Sequence, residues 1–366
     1  MYTRKELFII LQNWKYEKWS TYCNDLRGSY SHVRELLYGL KEEEQPEGWD
    51  NILKKVKETQ DQIMESSTLY YQGLPSLAYM KIKEVMDSIN LPIITIPRGS
   101  VFYRMRIIKS EDMRGTSHHN MFHIPLYKRN LVQTERFSAP GYPCLYLGYS
   151  SYVCWEEMNR PPLDSCMVSK LSTQNDIKVL NLSFTNFEEW NDHFENRVIS
   201  DSLIIASMIK RSSPDDKFKD EYSIPQGIME WVINHNYELS NSNQDEPDYI
   251  YGIRYVSVHK NDQFEFPRTI FENLAIPVID STSEGYCRVL AKQFHISKPT
   301  CTEWEQIRRN PLEDVIDAGS YDEQDEEVIR EGNYKSSLFG LIEKRLDSFE
   351  LYGVLDMMLL PRRTED

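Results

Sequence analysis

The stretch RFSAPGYPCLYLGYSSYVCWEEM, residues 136–158, decides the fold of the chain around it. Its Pro and Gly residues at Ala139–Tyr142 predict a turn that ends the preceding element. The apolar run Cys144–Tyr149 is short and bounded by turn residues, which is typical of a buried strand. Ser150 or Ser151 can then accept a backbone N–H at the start of a helix. The stretch therefore predicts a loop, a strand, a cap and a helix.

The predicted strand and helix place particular side chains on packed elements. Tyr146 falls in the middle of the strand, and Glu157 falls roughly two turns into the helix, next to Glu156. A carboxylate that is held by packed elements rather than by a loose loop can be buried for a chemical purpose. The helix is therefore a candidate carrier of a catalytic glutamate.

The composition is that of an ordinary globular protein. The chain has 366 residues, of which 40% are hydrophobic and 27% are charged, enough for one large or two modest domains. Its formal net charge of −15 argues against a general phosphate-binding surface, because nonspecific affinity for nucleic acid comes mainly from clustered Lys and Arg. No general nucleic-acid binding is expected, although a local basic pocket is compatible with this charge.

Membrane, export and disulfide signals are missing from the sequence. No apolar run reaches about 18 residues, and the N-terminal stretch becomes polar too early for a signal peptide. A cytoplasmic protein that does not bind membranes is expected. The 6 cysteines form no CxxC pair, so they predict reduced thiols rather than a disulfide framework or a thiolate zinc site.

The sequence divides into three predicted segments. Residues 1–95 show apolar side chains at helical spacing and are expected to form an all-α domain that regulates or oligomerises. Residues 96–300 alternate strand-like and helical patterns, including a helix predicted over Gly285–Phe294. Residues 301–366 form an acidic and helical extension. Its pattern at 336–359 predicts a helix that packs against the core or a second subunit, and the helical ends favour a homo-oligomer.

Several well-known catalytic motifs are absent. The chain has no GxxxxGK[ST], GxGxxG, HExxH or GxSxG, so nucleotide triphosphatase, Rossmann dehydrogenase, zincin and hydrolase-elbow functions lose their usual support. His118, His119 and His123 are clustered, but no pattern of Asp or Glu completes a ligand set around them. No metal site is expected.

Charged and polar residues on apolar strands are the remaining candidates for chemistry. Arg104 and Arg106 lie in a strand-like run, Arg136 stands beside the Pro/Gly turn, and Ser257 ends another strand-like run. An arginine on a strand is usually an edge or salt-bridge residue. Several arginines that converge with the helical carboxylate of Glu157 would instead make a pocket able to clamp phosphates and stabilise a developing cation.

Four ordered motifs resemble the RES domain, a family of NAD-degrading toxins. They are FYRMR, the stretch 136–158, EYSIPQGIMEW and YGIRYVS, and the resemblance covers roughly residues 98–262. It implies an α+β fold with an ADP-ribosyltransferase-like core of mixed sheet, here in a long form with a helical N-terminal domain, and it marks 96–300 as the catalytic domain.

The resemblance also implies site residues, position by position. It implies Arg104, Glu157 rather than Glu156, and Ser257 as catalytic residues; it leaves Glu156 at a surface or supporting position. It further implies Tyr103, Arg136 and Tyr146 as substrate-binding residues. Two positions depart from the family pattern: RFS stands where many members have RWN, and Met105 replaces a frequent aromatic residue. FHIP, which includes His123, resembles a longer subgroup and receives no role.

The activity implied by the resemblance is cleavage of the nicotinamide–ribose bond of NAD⁺, with water or inorganic phosphate as acceptor. NAD⁺ would be the substrate, no cofactor is required, and an inhibitory antitoxin or a regulatory protein is an expected partner. Two alternatives stay open. An ADP-ribosyltransferase would share the first step and modify a macromolecule, and a non-catalytic interaction module would use a RES-like scaffold without turnover.

Overall fold

The computed structural model describes residues 1–14, 21–108, 118–184, 186–210, 212–213, 216–241, 248–258, 267–279, 285–301 and 326–354. The chain forms two compact units. The first unit comprises Met1–Ile94, Gln133–Gly141 and Lys178–Val258, and the second comprises Thr95–Val132, Tyr142–Ile177 and His259–Asp366. Within the described ranges, every helix is too short or too polar to cross a membrane.

The first unit is mainly helical. Several of its helices begin at residues suited to a helix start: the Thr3 side chain accepts a backbone N–H in a capping box, Thr21 caps the second helix, and Pro75 opens the fourth. Its helices are α1 (Arg4–Gln12), α2 (Tyr22–Tyr38), α3 (Trp49–Tyr71), α4 (Pro75–Ser88), α6 (Phe187–Asp192), α7 (Phe194–Met208) and α8 (Ser223–Asn241).

The N-terminal helices share their core with helices from later in the chain. The buried hydroxyl of Tyr22 donates to the carbonyl of Ala206 over 2.9 Å, and that of Tyr30 donates to Ser202 over 2.8 Å. Both acceptors lie on α7. Because these bonds join α2 to α7, the compact unit does not follow the predicted segment 1–95, and it takes in 133–141 and 178–258 as well.

The strands of the first unit lie beside these helices. They are β1 (Ile93–Ile96), which runs across the boundary between the units in sequence, β5 (Ile177–Leu182) and β6 (Ile250–Val256), in the order β1-β5-β6. β5 and β6 are parallel, with Leu180 opposite Ile253. The long connection between them contains α6, α7 and α8, as a parallel pair requires a crossover.

The second unit is built on antiparallel strands in the order β7-β3-β2-β4-β8-β9. These strands are β2 (Val101–Ile107), β3 (Cys144–Gly148), β4 (Cys166–Thr173), β7 (Glu272–Pro277), β8 (Phe294–Ser297) and β9 (Leu351–Gly353). Its helices are α5 (Ser151–Glu157), α9 (Arg288–Ala291), α10 (Glu326–Ser336) and α11 (Leu338–Asp347).

The structure confirms a mixed α+β fold with parallel and antiparallel strand pairs. Two predicted helices are shorter than expected because strand pairing ends them. The helix predicted over Gly285–Phe294 is reduced to α9, since Phe294 begins β8 and pairs with Thr173. The C-terminal helix ends at Asp347, since Leu351–Gly353 pairs with β8 as an edge strand. Most of the acidic run at 321–328 lies outside the described residues.

Candidate active site

The strand and helix predicted from residues 136–158 form as β3 and α5. Ser150 is the residue before the helix, and its Oγ accepts the backbone N–H of Val153 over 3.0 Å. The same hydroxyl donates to the carbonyl of Ile270 over 2.6 Å. Ser150 therefore caps the helix and ties its start to a second chain segment. Tyr146 lies in the middle of β3, as predicted, and Glu157 lies roughly two turns into α5, as predicted, where the helix ends.

Gly148 lets α5 approach β3 closely. A Cβ at this position would lie 2.5 Å from Cγ1 of Val153, 2.7 Å from Sγ of Cys154 and 2.7 Å from the carbonyl oxygen of Ser150. All three belong to the start of α5, and contacts this short force a shift of backbone or side chain. The absence of a side chain at Gly148 thus sets the distance between the strand and the helix that carries Glu157.

Replacing Gly148 by alanine is expected to destabilise the protein by about 1–3 kcal/mol, the usual cost of overpacking a tight contact. The free energy of unfolding in urea measures the effect. Gly227→Ala is the matched control, because a Cβ there would meet its nearest atom, Cγ1 of Ile82, at 3.3 Å and the position lies inside a helix. Equal stability of the Gly148→Ala variant and the wild type would contradict the close approach.

Glu157 is held by an amide from a neighbouring strand. Its Oε1 accepts a hydrogen bond from Nδ2 of Asn273 over 2.7 Å. Gly148 of β3 is paired with Asn273 of β7 on one side. On the other side it is paired with Tyr103 of β2. The carboxylate is therefore oriented from a strand that lies 116 residues away in sequence. Sequence analysis did not identify Asn273, since nothing local distinguishes it from other polar residues on strands.

Glu156 is buried. The sequence-based interpretation left it at a surface or supporting position, and its side chain is only 2% exposed. The Tyr152 hydroxyl donates to Oε1 of Glu156, and Nε of Arg160 donates to Oε2 over 2.8 Å. Both partners lie four residues away, so α5 turns Glu156 inward between them. Of the two alternatives, the surface position is therefore wrong and the supporting position stays open: Glu156 is a buried carboxylate whose two oxygens both accept hydrogen bonds.

Arg104 and Arg106 form a pair of guanidinium groups on β2. They are two residues apart, so their side chains leave the same face of the strand. Nη1 of Arg104 donates to the carbonyl of Tyr146 over 2.8 Å, and Nη2 of Arg106 donates to the carbonyl of Phe122 over 3.2 Å. Within the described part of the chain, neither group is paired with a carboxylate. The Nε atom of Arg104 is buried without a hydrogen-bond partner.

Burial and mutual repulsion both act on this arginine pair. Desolvation, followed by the charge of Arg106, lowers the pKa of Arg104 to about 9, and desolvation also lowers the pKa of Arg106. Arg104 keeps its charge at neutral pH. Two adjacent, partly buried positive charges that have no carboxylate partner among the described residues are costly to a fold, so their retention is typical of a site that binds an anion.

The partly buried thiol of Cys154, in α5, is affected by the charges of both Arg104 and Glu157. Desolvation raises its pKa to about 12, the Glu157 charge also raises it, and the Arg104 charge lowers it. Sγ of Cys154 donates to the carbonyl of Tyr103 over 3.2 Å. The thiol is therefore protonated and forms a structural contact between α5 and β2. It lies close enough to Arg104 and Glu157 for their charges to affect its pKa.

His123 is a neutral structural residue beside the arginine pair. Its Nδ1 lies 2.8 Å from the carbonyl oxygen of Ile124, and Nε2 lies 2.9 Å from the backbone N of Cys287. The two contacts assign the proton to Nδ1 and leave Nε2 as an acceptor. Desolvation, together with the charges of Arg104 and Arg106, lowers its pKa to about 4. His123 therefore joins two loops of the second unit.

The low pKa of His123 makes stability depend on pH. The unfolded chain binds a proton at this histidine below about pH 6.5, while the folded chain binds it only near pH 4. Stability is therefore lost as the pH falls, by about 2 kcal/mol between pH 7 and pH 5 from this residue alone. Urea unfolding of the wild type and of His123→Gln measures it: the variant should show a flatter pH dependence. Parallel curves for the two proteins would contradict the assignment.

Tyr103 and Tyr146, the two predicted substrate-binding tyrosines, lie in the second unit. Tyr103 is buried in an apolar cluster with Met105 and with Ile342 and Leu346 of α11, and burial raises its pKa. Tyr146 is partly exposed and provides the carbonyl that Arg104 binds. The structure thus brings Arg104 to the backbone of Tyr146 and leaves the Tyr146 side chain partly open to solvent.

Arg136 and Ser257 belong to the first unit. Nη1 of Arg136 donates to the carbonyls of Ser207 and Ile209, over 2.7 and 3.0 Å, at the end of α7. Its guanidinium carbon also lies 5.2 Å from the ring centre of Tyr222. These contacts give Arg136 a structural task inside its own unit. Ser257 directly follows β6 and is 4% exposed. Their placement relative to Arg104 and Glu157 stays a prediction.

Metal ligation receives no support from the residues that the structure describes, since these contain no group of three or more His, Cys, Asp or Glu side chains able to hold an ion. The side chains of His118 and His119 lie outside this description.

Comparisons with known proteins add one relative of clear similarity. No protein-family model matches the sequence. A Bacillus subtilis (strain 168) protein named "Putative toxin YopC" is 33% identical over an alignment of 294 residues that covers 72% of this chain and 62% of that protein. The chain thus spans less than two thirds of that relative.

The crystal structure of the M. tuberculosis MbcT-MbcA toxin-antitoxin complex matches with a TM-score of 0.28 and 14% identity, over 58% of this chain and 91% of that one. At this TM-score the likeness carries no argument. The chain is therefore similar, over most of its length, to a protein named as a toxin.

Proposed function

We propose that this protein is a toxin-like enzyme that cleaves the nicotinamide–ribose bond of NAD⁺. The observation that carries the proposal is the partly buried guanidinium pair of Arg104 and Arg106, which has no carboxylate partner in the described structure and includes a buried, unpartnered Nε. Such a pair favours the binding of an anion, and a pyrophosphate carries the oxygens that guanidinium groups bind best. The similarity to a protein named as a toxin supports the cellular role.

Glu157 would act on the reacting ribose. When the C–N bond to nicotinamide breaks, its electron pair leaves with the ring nitrogen, nicotinamide departs as a neutral molecule, and positive charge develops on the ribose. A fixed carboxylate next to that charge lowers the barrier because it is already oriented when the charge appears. The bond from Asn273 to Glu157 supplies this orientation. Water or phosphate then forms the new bond to ribose, giving ADP-ribose or its phosphate ester.

The other site residues retain proposed roles. Arg104, with Arg106, would bind the pyrophosphate or an incoming phosphate, and Tyr146 would stack on nicotinamide or contact the ribose. Tyr103 would shape the pocket wall from β2. Ser257 would orient the substrate by a hydrogen bond, and Arg136 would add a second basic contact. NAD⁺ is the proposed substrate with no cofactor, an antitoxin or regulatory protein is the proposed inhibitor, and a homo-oligomer is the proposed assembly.

The products of an NAD⁺ incubation test this proposal. Purified protein is incubated with NAD⁺ in phosphate-free buffer and in phosphate buffer, and the products are identified by mass. Nicotinamide with ADP-ribose in both buffers indicates a glycohydrolase, and a phosphorylated ADP-ribose only with phosphate indicates a phosphorylase. Label transferred from NAD⁺ to protein or nucleic acid would favour the ADP-ribosyltransferase alternative. Intact NAD⁺, both in vitro and in cells that express the protein, would contradict the proposal.

A further inference from the structure

The start of α5 is bound by a carboxylate from the C-terminal part of the second unit. Oε1 of Glu343, on α11, accepts the backbone N–H of Ser151 over 2.5 Å and the Ser151 hydroxyl over 2.7 Å. The hydroxyl of Tyr334, on α10, donates to the same oxygen over 2.5 Å. One carboxylate oxygen therefore collects three donors and joins α10, α11 and α5.

This carboxylate is half-buried, and the three hydrogen bonds offset its loss of hydration. Desolvation raises the pKa of Glu343, while the bonds from Tyr334 and Ser151 act in the opposite direction. A buried carboxylate costs free energy unless hydrogen bonds replace the lost water. Ser151 and Tyr334 therefore supply hydrogen bonds in place of the water that the Glu343 carboxylate loses.

Aromatic packing joins the same elements. The ring of Phe339, on α11, lies 5.2 Å from the ring centre of Tyr152 and 5.4 Å from that of Trp155. α5 has only 7 residues, and a helix of this length is not stable by itself. The position of α5, and of Glu157 at its end, therefore depends on what packs around it, and α10 and α11 supply a hydrogen bond at its start and rings along its side.

α11 also contacts the strand that carries the arginine pair. Its residues Ile342 and Leu346 pack in one apolar cluster with Tyr103 and Met105 of β2, the residues on either side of Arg104. The C-terminal hairpin, defined as α10 and α11 (Glu326–Asp347), thus supports both elements that carry the proposed chemistry of the second unit.

We infer that the C-terminal hairpin is an integral part of the catalytic site, and that Glu343 is a positioning residue that acts through α5 on Glu157. The inference rests on the proposed function for its catalytic consequence. Neither the composition nor the motifs of the C-terminal segment indicate this role of the hairpin. The inference predicts that removing the Glu343 side chain loosens α5 while substrate binding changes little.

The full chain tests this with Glu343→Ala, Glu343→Gln and a matched control. Glu343→Ala is expected to lower kcat for NAD⁺ loss about 10- to 100-fold, the usual effect of misplacing a catalytic group, with KM changed less than about twofold because the arginine pair is untouched. Glu343→Gln keeps an acceptor oxygen and should lose less. Glu331→Gln makes the same chemical change on α10 at an exposed ion pair with Lys335 and should match the wild type.

Hydrogen exchange of the full-length variants supplies a readout that does not need turnover. Amides in residues 150–158 should exchange faster in Glu343→Ala, and to a smaller degree in Glu343→Gln, while β4 keeps wild-type exchange. If Glu343→Ala fails to fold, Glu343→Gln decides by the same two measurements. If the amides of residues 150–158 exchange in the Glu343 variants at the wild-type rate, the inference is overturned, whatever the turnover. A rise in KM with unchanged kcat in these variants also overturns it. If the wild-type protein leaves NAD⁺ intact, the proposed function is wrong instead. The hydrogen-exchange rates of residues 150–158 then test by themselves whether Glu343 holds α5.

Discussion

Glu157→Gln is expected to lower the rate of NAD⁺ cleavage by at least about 100-fold, with little change in the free energy of unfolding. The substitution keeps the size of the side chain and an oxygen that can accept the bond from Asn273. It removes the negative charge that would stabilise the cationic ribose. Since the loss concerns the transition state, kcat should fall while KM for NAD⁺ stays nearly constant. Initial rates of nicotinamide release over a range of NAD⁺ concentrations measure both quantities.

Glu156→Gln is the matched control for this prediction. It makes the same change at the adjacent residue, where the carboxylate is bound by Tyr152 and Arg160. We expect it to reduce stability by about 1–3 kcal/mol, because a charge-assisted buried contact is weakened, and to retain turnover in the folded fraction. Loss of turnover in Glu156→Gln together with normal turnover in Glu157→Gln would show that the neighbouring glutamate carries the chemistry.

Arg104→Met is expected to raise KM for NAD⁺ about 10- to 100-fold without destabilising the protein. Among the described residues, the guanidinium donates to a backbone carbonyl, has an unpartnered Nε and meets no carboxylate, so its partial burial costs the fold free energy. Methionine fills similar space without charge. An unchanged or higher melting temperature together with weaker NAD⁺ binding would identify an arginine kept for its ligand rather than for its fold.

Arg136→Met provides the contrast in stability. This arginine donates to two carbonyls at the end of α7 and lies over a tyrosine ring. Its loss leaves buried acceptors without a partner, so we expect a lower free energy of unfolding, by about 1–3 kcal/mol. A destabilised Arg104→Met variant with normal KM would show that Arg104 serves the fold rather than a ligand and would remove the main support for an anion site.

Local sequence signals predicted the strand and helix of the site well. Pro and Gly residues form the turn before β3, and the hydroxyl of Ser150 caps the start of α5. Tyr146 and Glu157 therefore lie on the strand and the helix that the pattern predicted. Interactions of this kind act within a few residues and leave a mark in the sequence. The sequence left open whether Glu156 lies at the surface or in a supporting position, because its partners, Tyr152 and Arg160, resemble ordinary surface residues of a short helix.

Long-range contacts could not be predicted from the sequence. Asn273 reaches Glu157 across 116 residues, and Glu343 reaches Ser151 across 192 residues. Neither residue belongs to a motif, and each gains its role only when distant strands and helices pack. The packing of the N-terminal helices against α7 could not be predicted for the same reason. In the sequence, Tyr22 and Tyr30 look like ordinary core aromatic residues, and their hydroxyls bond to α7 only in the folded chain.

The most direct test of the central claim is release of nicotinamide by the purified full-length protein. Wild-type protein and Glu157→Gln are incubated with NAD⁺ and phosphate, and nicotinamide is quantified by chromatography against time. The proposed chemistry predicts that the wild type releases one nicotinamide for each NAD⁺ consumed, with ADP-ribose or its phosphate as the other product, and that Glu157→Gln releases almost none. Equal nicotinamide release by the wild type and Glu157→Gln would contradict it.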